Sequence, residues 1–187
     1  MKYQYFVILG LQRTGTNWVH ANLVKNLSGK WGNQKLDIWK HLTPLGGNRQ
    51  EWPNRTEMLV DRLNLRDDVF YVATQKPFDM WETSINRFGG NYYFTHNHSQ
   101  DTSDLTPPTK KLAKIEIWNA WEQWKDKQLG KPNFYYHTYM DWLQNWQTYF
   151  EEIQEITEWE RLTEEWENVP KVSNSPNFDI TRYIKDG

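Results

Sequence analysis

A glycine-containing segment near the amino terminus carries the first residue pattern in this chain that points to chemistry. It reads Gly10-Leu-Gln-Arg-Thr-Gly-Thr-Asn17, with an apolar run before it and a helical pattern after it. Backbone N–H groups in such a loop, together with the positive end of the following helix dipole, favour a bound anion. The segment therefore predicts a phosphate-binding loop between a strand and a helix, with an ordinary tight turn as the alternative.

The residues after the second glycine argue against a magnesium-triphosphate ligand. In the nucleotide-triphosphatase loop, G-x-x-x-x-G-K-[ST], a lysine and a hydroxyl residue follow that glycine. Here Thr16 replaces the lysine, and Asn17 replaces the residue that would hold magnesium. We therefore expect a phosphate cradle that uses no metal and does not support ordinary ATP hydrolysis.

The same loop resembles the 5′-phosphosulfate loop of the sulfotransferase family, whose pattern is roughly Pro-(Lys/Arg)-(Ser/Thr)-Gly-Thr-(Thr/Asn)-Trp. The chain reads Gln-Arg-Thr-Gly-Thr-Asn-Trp over residues 12–18. The resemblance implies that 3′-phosphoadenosine 5′-phosphosulfate (PAPS) donates a sulfuryl group and leaves as adenosine 3′,5′-bisphosphate. It implies donor binding by Arg13, Thr14, Gly15, Thr16, Asn17 and Trp18. Arg13 would also stabilise charge on the transferring group and the leaving phosphate, and this role is electrostatic because arginine does not readily lose a proton.

A histidine further along the chain is the candidate general base. Residues 40–44 read Lys-His-Leu-Thr-Pro and resemble the family's Lys-x-His-Leu-Pro stretch. The resemblance implies that His41 takes the proton from the attacking hydroxyl or amine, a task that suits a neutral imidazole near pH 7. A surface histidine after a strand is the alternative.

Residues 69–87 resemble the family's 3′-phosphate segment, a strand followed by Arg-Asn-Pro-x-Asp and then a serine in the next helix. Pro77 and Asp79 match this pattern. The hydroxyl falls on Thr83 by strict spacing, or on Ser84 if the helix begins one residue later. These residues would bind the 3′-phosphate of the donor.

The arginine of this segment is missing. Gln75 occupies its position and Lys76 follows directly. A guanidinium binds phosphate through two hydrogen bonds, whereas glutamine offers only a neutral donor. If the 3′-phosphate binds here, Lys76 or Arg87 would have to supply the charge.

The last segment of the resemblance lies at residues 134–143, which are similar to a strand ending in Tyr-Glu-Asp-Leu-Leu. It implies that Tyr139 lies near the adenine and that Trp18 stacks on that base. Stacking of this kind contributes about 1–3 kcal/mol per base. Packing of Trp18 in the core, on the inner face of its helix, is the other interpretation.

Apolar runs that alternate with helical patterns must position these residues. We predict strands at residues 3–9, 35–40, 69–74 and 133–137, helices at residues 16–26, 57–65, 78–87 and 109–129, and one or two helices over residues 140–161. The acidic run at residues 151–167 is expected on a solvated helix face, and Trp118, Trp121 and Trp124, which recur every three residues, are expected in the core. The alternation predicts one three-layer α/β/α domain over residues 1–187, with a central parallel sheet like that of P-loop nucleotide kinases. Residues 89–108 form a candidate lid or substrate loop, and residues 170–187 an irregular tail.

The composition limits the classes of partner. The 187-residue chain has no cysteine and a formal net charge of −2, so we expect neither a thiolate metal site nor nucleic-acid binding. It contains 12 Trp, 10 Tyr and 8 Phe, most of them expected in the core and a few available to a sugar or base. No apolar run approaches the roughly 20 residues of a membrane helix, and no signal peptide precedes the first strand, which predicts a cytoplasmic protein.

These patterns lead to a functional hypothesis with two alternatives. The first choice is a sulfotransferase that uses PAPS and a small-molecule or glycan acceptor. The alternatives are a nucleotide or small-molecule kinase, and a degenerate domain that binds a nucleotide or glycan without catalysis. The acceptor and the oligomeric state stay open.

Overall fold

Four parallel strands form one sheet, in a computed structural model that describes residues 2–11, 13–33, 35–36, 38, 65–87 and 107–169. The strands are β1 (Tyr5–Leu9), β2 (Lys30–Trp31), β3 (Val69–Gln75) and β4 (Phe134–Thr138), in the order β2-β1-β3-β4. The described helices are α1 (Thr16–Asn26), α2 (Phe78–Arg87), α3 (Pro107–Gln128) and α4 (Tyr139–Thr157). The predicted α/β architecture with a parallel sheet is confirmed.

Helices pack on both faces of the two central strands, β1 and β3. Every residue of β3 and nearly all of β1 are buried, as expected for apolar runs covered on both sides. On one face, Phe6 and Ile8 join a core with side chains from α1 and α4. On the other face, Val7 and Leu9 join a core with side chains from α2 and α3. This second core contains Trp121, with Trp118 and Trp124 packed against it, so the predicted core role of these indoles is confirmed.

The carboxyl ends of β1, β3 and β4 meet at one edge of the sheet because the strands are parallel. The glycine loop follows β1, Lys76 follows β3 and Tyr139 follows β4. Ligands of open α/β sheets bind at this edge. The fold thus brings three of the segments singled out in the sequence to one place.

Of the strand predicted at residues 35–40, residues 35, 36 and 38 are described, and none of them is in a strand. The second described strand is β2, which begins five residues earlier. Leu36 lies in a turn, and its N–H donates to the carbonyl of Gly32 at 2.8 Å. Asn33 explains why β2 is so short. Its side-chain amide pairs with both main-chain groups of Ile8, at 2.7 and 2.8 Å, and so takes the place of the next strand residue.

The last helix is shorter than predicted. It ends at Thr157 rather than at residue 161, and Glu158 follows in the left-handed conformation. A non-helical Asn145 interrupts it, in line with the prediction of one or two helices. Residues 158–169, here called the C-terminal strap, run as non-helical chain against α1. The acidic run expected on a helix face therefore lies partly on this strap.

Several predicted elements lie outside the described residues. They are the helix at residues 57–65 except Leu65, most of the loop at residues 89–108, and the tail at residues 170–187. The end of that predicted loop belongs to α3, because Pro107 and Pro108 form the first turn of the helix. Within the described ranges, no helix has the length and apolar character needed to cross a membrane.

Candidate functional site

The glycine loop turns sharply between β1 and α1. Arg13 has φ 65° and Gly15 has φ 89°, both in the left-handed region. An arginine in that conformation is strained, and strain of this kind persists where surrounding contacts enforce it. Two hydroxyl groups supply such contacts: Thr14 donates from Oγ1 to the carbonyl of Leu11, and Thr74 of β3 donates to the carbonyl of Thr14 at 3.3 Å.

Gly10 and Gly15 of the loop both lie too close to neighbouring atoms to be replaced by a larger residue. A Cβ on Gly10 would lie 2.8 Å from the carbonyl oxygen of Thr74, so the loop could not sit against β3. A Cβ on Gly15 would lie under 3.0 Å from the ring of Tyr139. The Tyr139 ring therefore packs directly against the loop and is only 2 % exposed. This places Tyr139 at the candidate site, while its predicted contact with adenine stays a prediction.

Helix α1 begins at this loop with Gly15 as its N-cap, a residue without a side chain that could accept a helix N–H. The carbonyl of Gly15 accepts the N–H groups of Trp18 and Val19 at 3.0 and 3.1 Å. The earlier N–H groups of a helix have no acceptor within the helix itself, and they carry its positive dipole end. The start of α1, which includes Thr16 and Asn17, has the geometry of an anion-binding terminus.

Lys76 lies buried beside this terminus. It is 5 % exposed, its Nζ donates to Oγ of Ser84 at 3.1 Å, and the same Nζ lies 5.0 Å from the centre of the Tyr139 ring. Burial, together with repulsion from the positive charge of Arg13, lowers the pKa of Lys76 to about 8. Two cations, one of them almost fully buried, thus lie close together at the positive end of a helix.

The two candidate hydroxyl groups of α2 have different surroundings. Ser84 is buried, donates to the carbonyl of Met80 at 2.8 Å and accepts from Lys76. Thr83 is exposed and donates to the carbonyl of Asp79 at 2.8 Å. Of the two residues that the sequence left open, Ser84 is the one in contact with the lysine.

Gln75 does not take the place of the family's arginine. Its carbonyl oxygen accepts from the indole N–H of Trp121 and from the hydroxyl of Tyr136, both at 3.2 Å, and its amide donates to Glu122. These partners lie on the α3 side of the sheet, so the Gln75 amide ties α3 to β3. The predicted donor-binding role of Gln75 is not supported, because both ends of its side-chain amide are bonded to residues of α3 and β4. Lys76, one residue later, is the side chain that reaches the loop.

Trp18 occupies the core rather than an open surface. It is 0 % exposed and belongs to the cluster of α1, α4 and the sheet, which includes Phe6 and Trp142. Neither face of the indole is available to a base in this arrangement. The predicted stacking of Trp18 on adenine is therefore corrected to the alternative, core packing.

The candidate base His41 and the loop residue Gln12 lie outside the described residues. Within those residues His137, which has no role in the predicted site, lies near the end of β4. Its ring is stacked on Tyr149 at 3.6 Å with an interplanar angle of 7°, and burial lowers the pKa of this imidazole. The sequence indicates His137 only through its position at the carboxyl end of a predicted strand. Lys76 has the same kind of position, after β3.

No family model, curated protein or solved structure matches the chain. The functional assignment therefore rests on the residues of the loop and on the side chains that surround it.

Proposed function

We propose that this protein is a sulfotransferase with a P-loop-kinase-like fold, transferring a sulfuryl group from PAPS to a hydroxyl or amine. One observation carries the proposal: Arg13 and the buried Lys76 lie together near the start of α1, beside two glycines that leave no room for a side chain. Two cations beside the positive end of a helix dipole favour a bound anion. A doubly charged phosphosulfate would complement that charge.

The loop, Arg13 and His41 have separate roles in the proposed reaction. Loop N–H groups from Thr14 to Asn17 bind the 5′-phosphosulfate, and Arg13 stabilises the charge that grows on the leaving phosphate as the sulfuryl group departs. His41 accepts the proton of the acceptor. The order of the segments supports this scheme, because the loop follows β1, the Lys76–Ser84 pair follows β3, and Tyr139 follows β4.

Ligand titration tests the nucleotide preference. We expect adenosine 3′,5′-bisphosphate to bind without magnesium and more tightly than ATP with magnesium, since the loop lacks the lysine and hydroxyl residue of triphosphate loops. Calorimetric titration with both ligands gives the comparison. A preference for magnesium-ATP would replace the proposal with a kinase.

The variant Arg13→Ala tests catalysis. We expect sulfuryl transfer from PAPS to fall by about 100-fold or more, because the positive charge that stabilises the leaving phosphate is removed. The screen should cover phenols, glycans, lipids and peptides as acceptors. Arg66→Ala is the matched control, since Arg66 is exposed and pairs with Asp68 at 2.6 Å, and it should keep wild-type transfer. Transfer by Arg13→Ala at the wild-type rate would contradict the assignment.

A domain that binds the nucleotide without catalysis is the second candidate. The observation in its favour is Gln75, whose amide is already bonded to Glu122 where the family has a phosphate-binding arginine. Comparing adenosine 5′-monophosphate with the 3′,5′-bisphosphate decides whether the 3′-phosphate is recognised. Binding of the bisphosphate with no transfer to any acceptor would favour this second candidate.

A further inference from the structure

Three buried threonines meet beneath the glycine loop. Thr14 lies in the loop, Thr16 at the start of α1 and Thr74 near the carboxyl end of β3, and none is more than 3 % exposed. They surround the place where a side chain of Gly10 would project. A Cβ there would lie 2.8 Å from Oγ1 of Thr14 and 3.0 Å from Cγ2 of Thr16. The absence of that side chain allows the loop to rest directly on β3.

The hydroxyl of Thr14 holds the strained part of the loop. It donates to the carbonyl of Leu11, three residues earlier, and so closes the turn in which Arg13 has φ 65°. Because this hydroxyl proton is used within the loop and the side chain is buried, the group that Thr14 offers to an anion is its main-chain N–H.

Thr74 acts on the next peptide group of the loop. Its Oγ1 donates to the carbonyl of Thr14 at 3.3 Å, so that carbonyl faces β3. The C=O and the N–H of a planar trans peptide point in opposite directions, and the N–H of Gly15 is therefore turned away from β3.

The following peptide group is oriented by the helix itself. The carbonyl of Gly15 accepts the N–H groups of Trp18 and Val19, so by the same geometry the N–H of Thr16 is turned away from the helix. Together with the N–H of Gly15, it lies at the start of α1, where the helix dipole favours an anion. One of these two donors is thus oriented by α1 and the other by Thr74.

We propose that Thr74 is a positioning residue of the anion site, which directs the Gly15 N–H to the space that the 5′-phosphosulfate occupies. This inference rests on the proposed function. A glycine at position 15 allows the peptide group before it to rotate, because glycine populates both signs of φ. The hydrogen bond from Thr74 selects one orientation in the free protein, so less ordering is needed when the anion binds. Thr74 itself is 0 % exposed and acts only through the main chain.

The variants Thr74→Val and Thr74→Ser separate hydrogen bonding from packing. Valine has the shape of threonine and suits a buried strand, but it cannot donate a hydrogen bond. We expect the dissociation constant of adenosine 3′,5′-bisphosphate to rise by about 10-fold in Thr74→Val, because the Thr14 carbonyl loses its partner and the loop is no longer held. Thr74→Ser keeps the hydroxyl and should bind within about two-fold of wild type. Calorimetric titration measures both.

Thr157→Val is the matched control for a buried hydroxyl outside the site. Thr157 is also 0 % exposed, and its Oγ1 donates to the carbonyl of Ile153 at 2.6 Å, at the opposite end of α4 from Tyr139. Thr157→Val and Thr74→Val should lower Tm by similar amounts, about 2–4 °C each. The affinity for the bisphosphate should fall only in Thr74→Val.

The outcomes distinguish this inference from the proposed function. Wild-type affinity in Thr74→Val, an affinity that Thr74→Ser does not restore, or an equal loss of affinity in Thr157→Val would overturn the positioning role. A preference of the wild-type protein for magnesium-ATP would overturn the proposed function alone. The same variants titrated with magnesium-ATP then test Thr74, since any phosphate at the start of α1 uses the same N–H groups. Binding of neither nucleotide by the wild-type protein would overturn both.

Discussion

The two ends of α1 are built in opposite ways. At the carboxyl end, the buried Asn22 and Asn26 pair with the C-terminal strap as main-chain groups pair in a sheet. Asn26 donates to the carbonyl of Glu167 and accepts its N–H, both at 2.8 Å, and Asn22 does the same with Val169 at 3.2 and 2.8 Å. Each of these asparagines also donates to the carbonyl four residues before it in the helix.

At the amino end of the same helix, the N-cap Gly15 has no side chain to bind the helix N–H groups, and Arg13 before it has a strained backbone. A buried lysine lies next to that arginine, and both carry positive charge. Polar groups are thus paired with the strap at the carboxyl end of α1, whereas positive charge collects at its amino end. In natural proteins, local conflicts of this kind are concentrated at functional sites.

The largest effect should come from filling the space at the loop. Gly15→Ala forces a methyl group into the Tyr139 ring and places alanine at φ 89°. We expect a loss of about 4 kcal/mol in the free energy of unfolding, from backbone strain and overpacking together. Urea unfolding measures it.

Gly130→Ala is the matched control for that variant. Gly130 has φ 86°, and apart from its two chain neighbours no described residue has an atom within 4 Å of the position that an alanine methyl group would take, so only strain remains. The expected loss is about 1–2 kcal/mol. Equal losses for the two variants would show that the contact of the added methyl group with the Tyr139 ring adds nothing to the destabilisation.

Removing the contacts between α1 and the C-terminal strap should destabilise the protein without changing ligand binding at the loop. Asn26→Ala leaves the N–H and the carbonyl of Glu167 without their partner, and we expect a loss of about 2–3 kcal/mol. The affinity for adenosine 3′,5′-bisphosphate should stay within two-fold of wild type. Asn145→Ala removes an exposed asparagine of α4 and should change stability by less than about 0.5 kcal/mol. A large loss of ligand affinity in Asn26→Ala would contradict the independence of the two ends.

Removing the buried positive charge of Lys76 should stabilise the protein, by less than the losses expected for the variants above. Since the pKa of Lys76 falls from 10.5 to about 8 on folding, the unfolded chain binds more protons between these values, and stability rises with pH across that window. Lys76→Met should therefore raise the free energy of unfolding at pH 7 by about 1–2 kcal/mol, after the lost contacts with Ser84 and Tyr139 are subtracted. The gain should shrink towards pH 10. Unfolding at both pH values measures it, and a loss of stability at pH 7 would show that the buried cation is not under strain.

Most of the regular elements could be predicted because their signals are local. The buried runs of β1 and β3 and the periodicity of α1 and α2 lie in short stretches of sequence. The two errors have non-local causes. Asn33 replaces a strand residue beside Ile8, and residues 158–161 leave the helix to reach α1, where the N–H of Leu162 donates to the carbonyl of Asn26 at 2.9 Å.

The sequence by itself determined the glycine loop, its place between a strand and a helix, and the presence of a cation beside it, because glycine spacing and apolar runs act over a few residues. Only the tertiary structure decided which side chains complete the site. It turned Gln75 towards α3 and Lys76 towards the loop, chose Ser84 over Thr83, and buried Trp18. The reason is physical: a side chain's role depends on the face it occupies and on the neighbours packed there, and those neighbours come from distant parts of the chain.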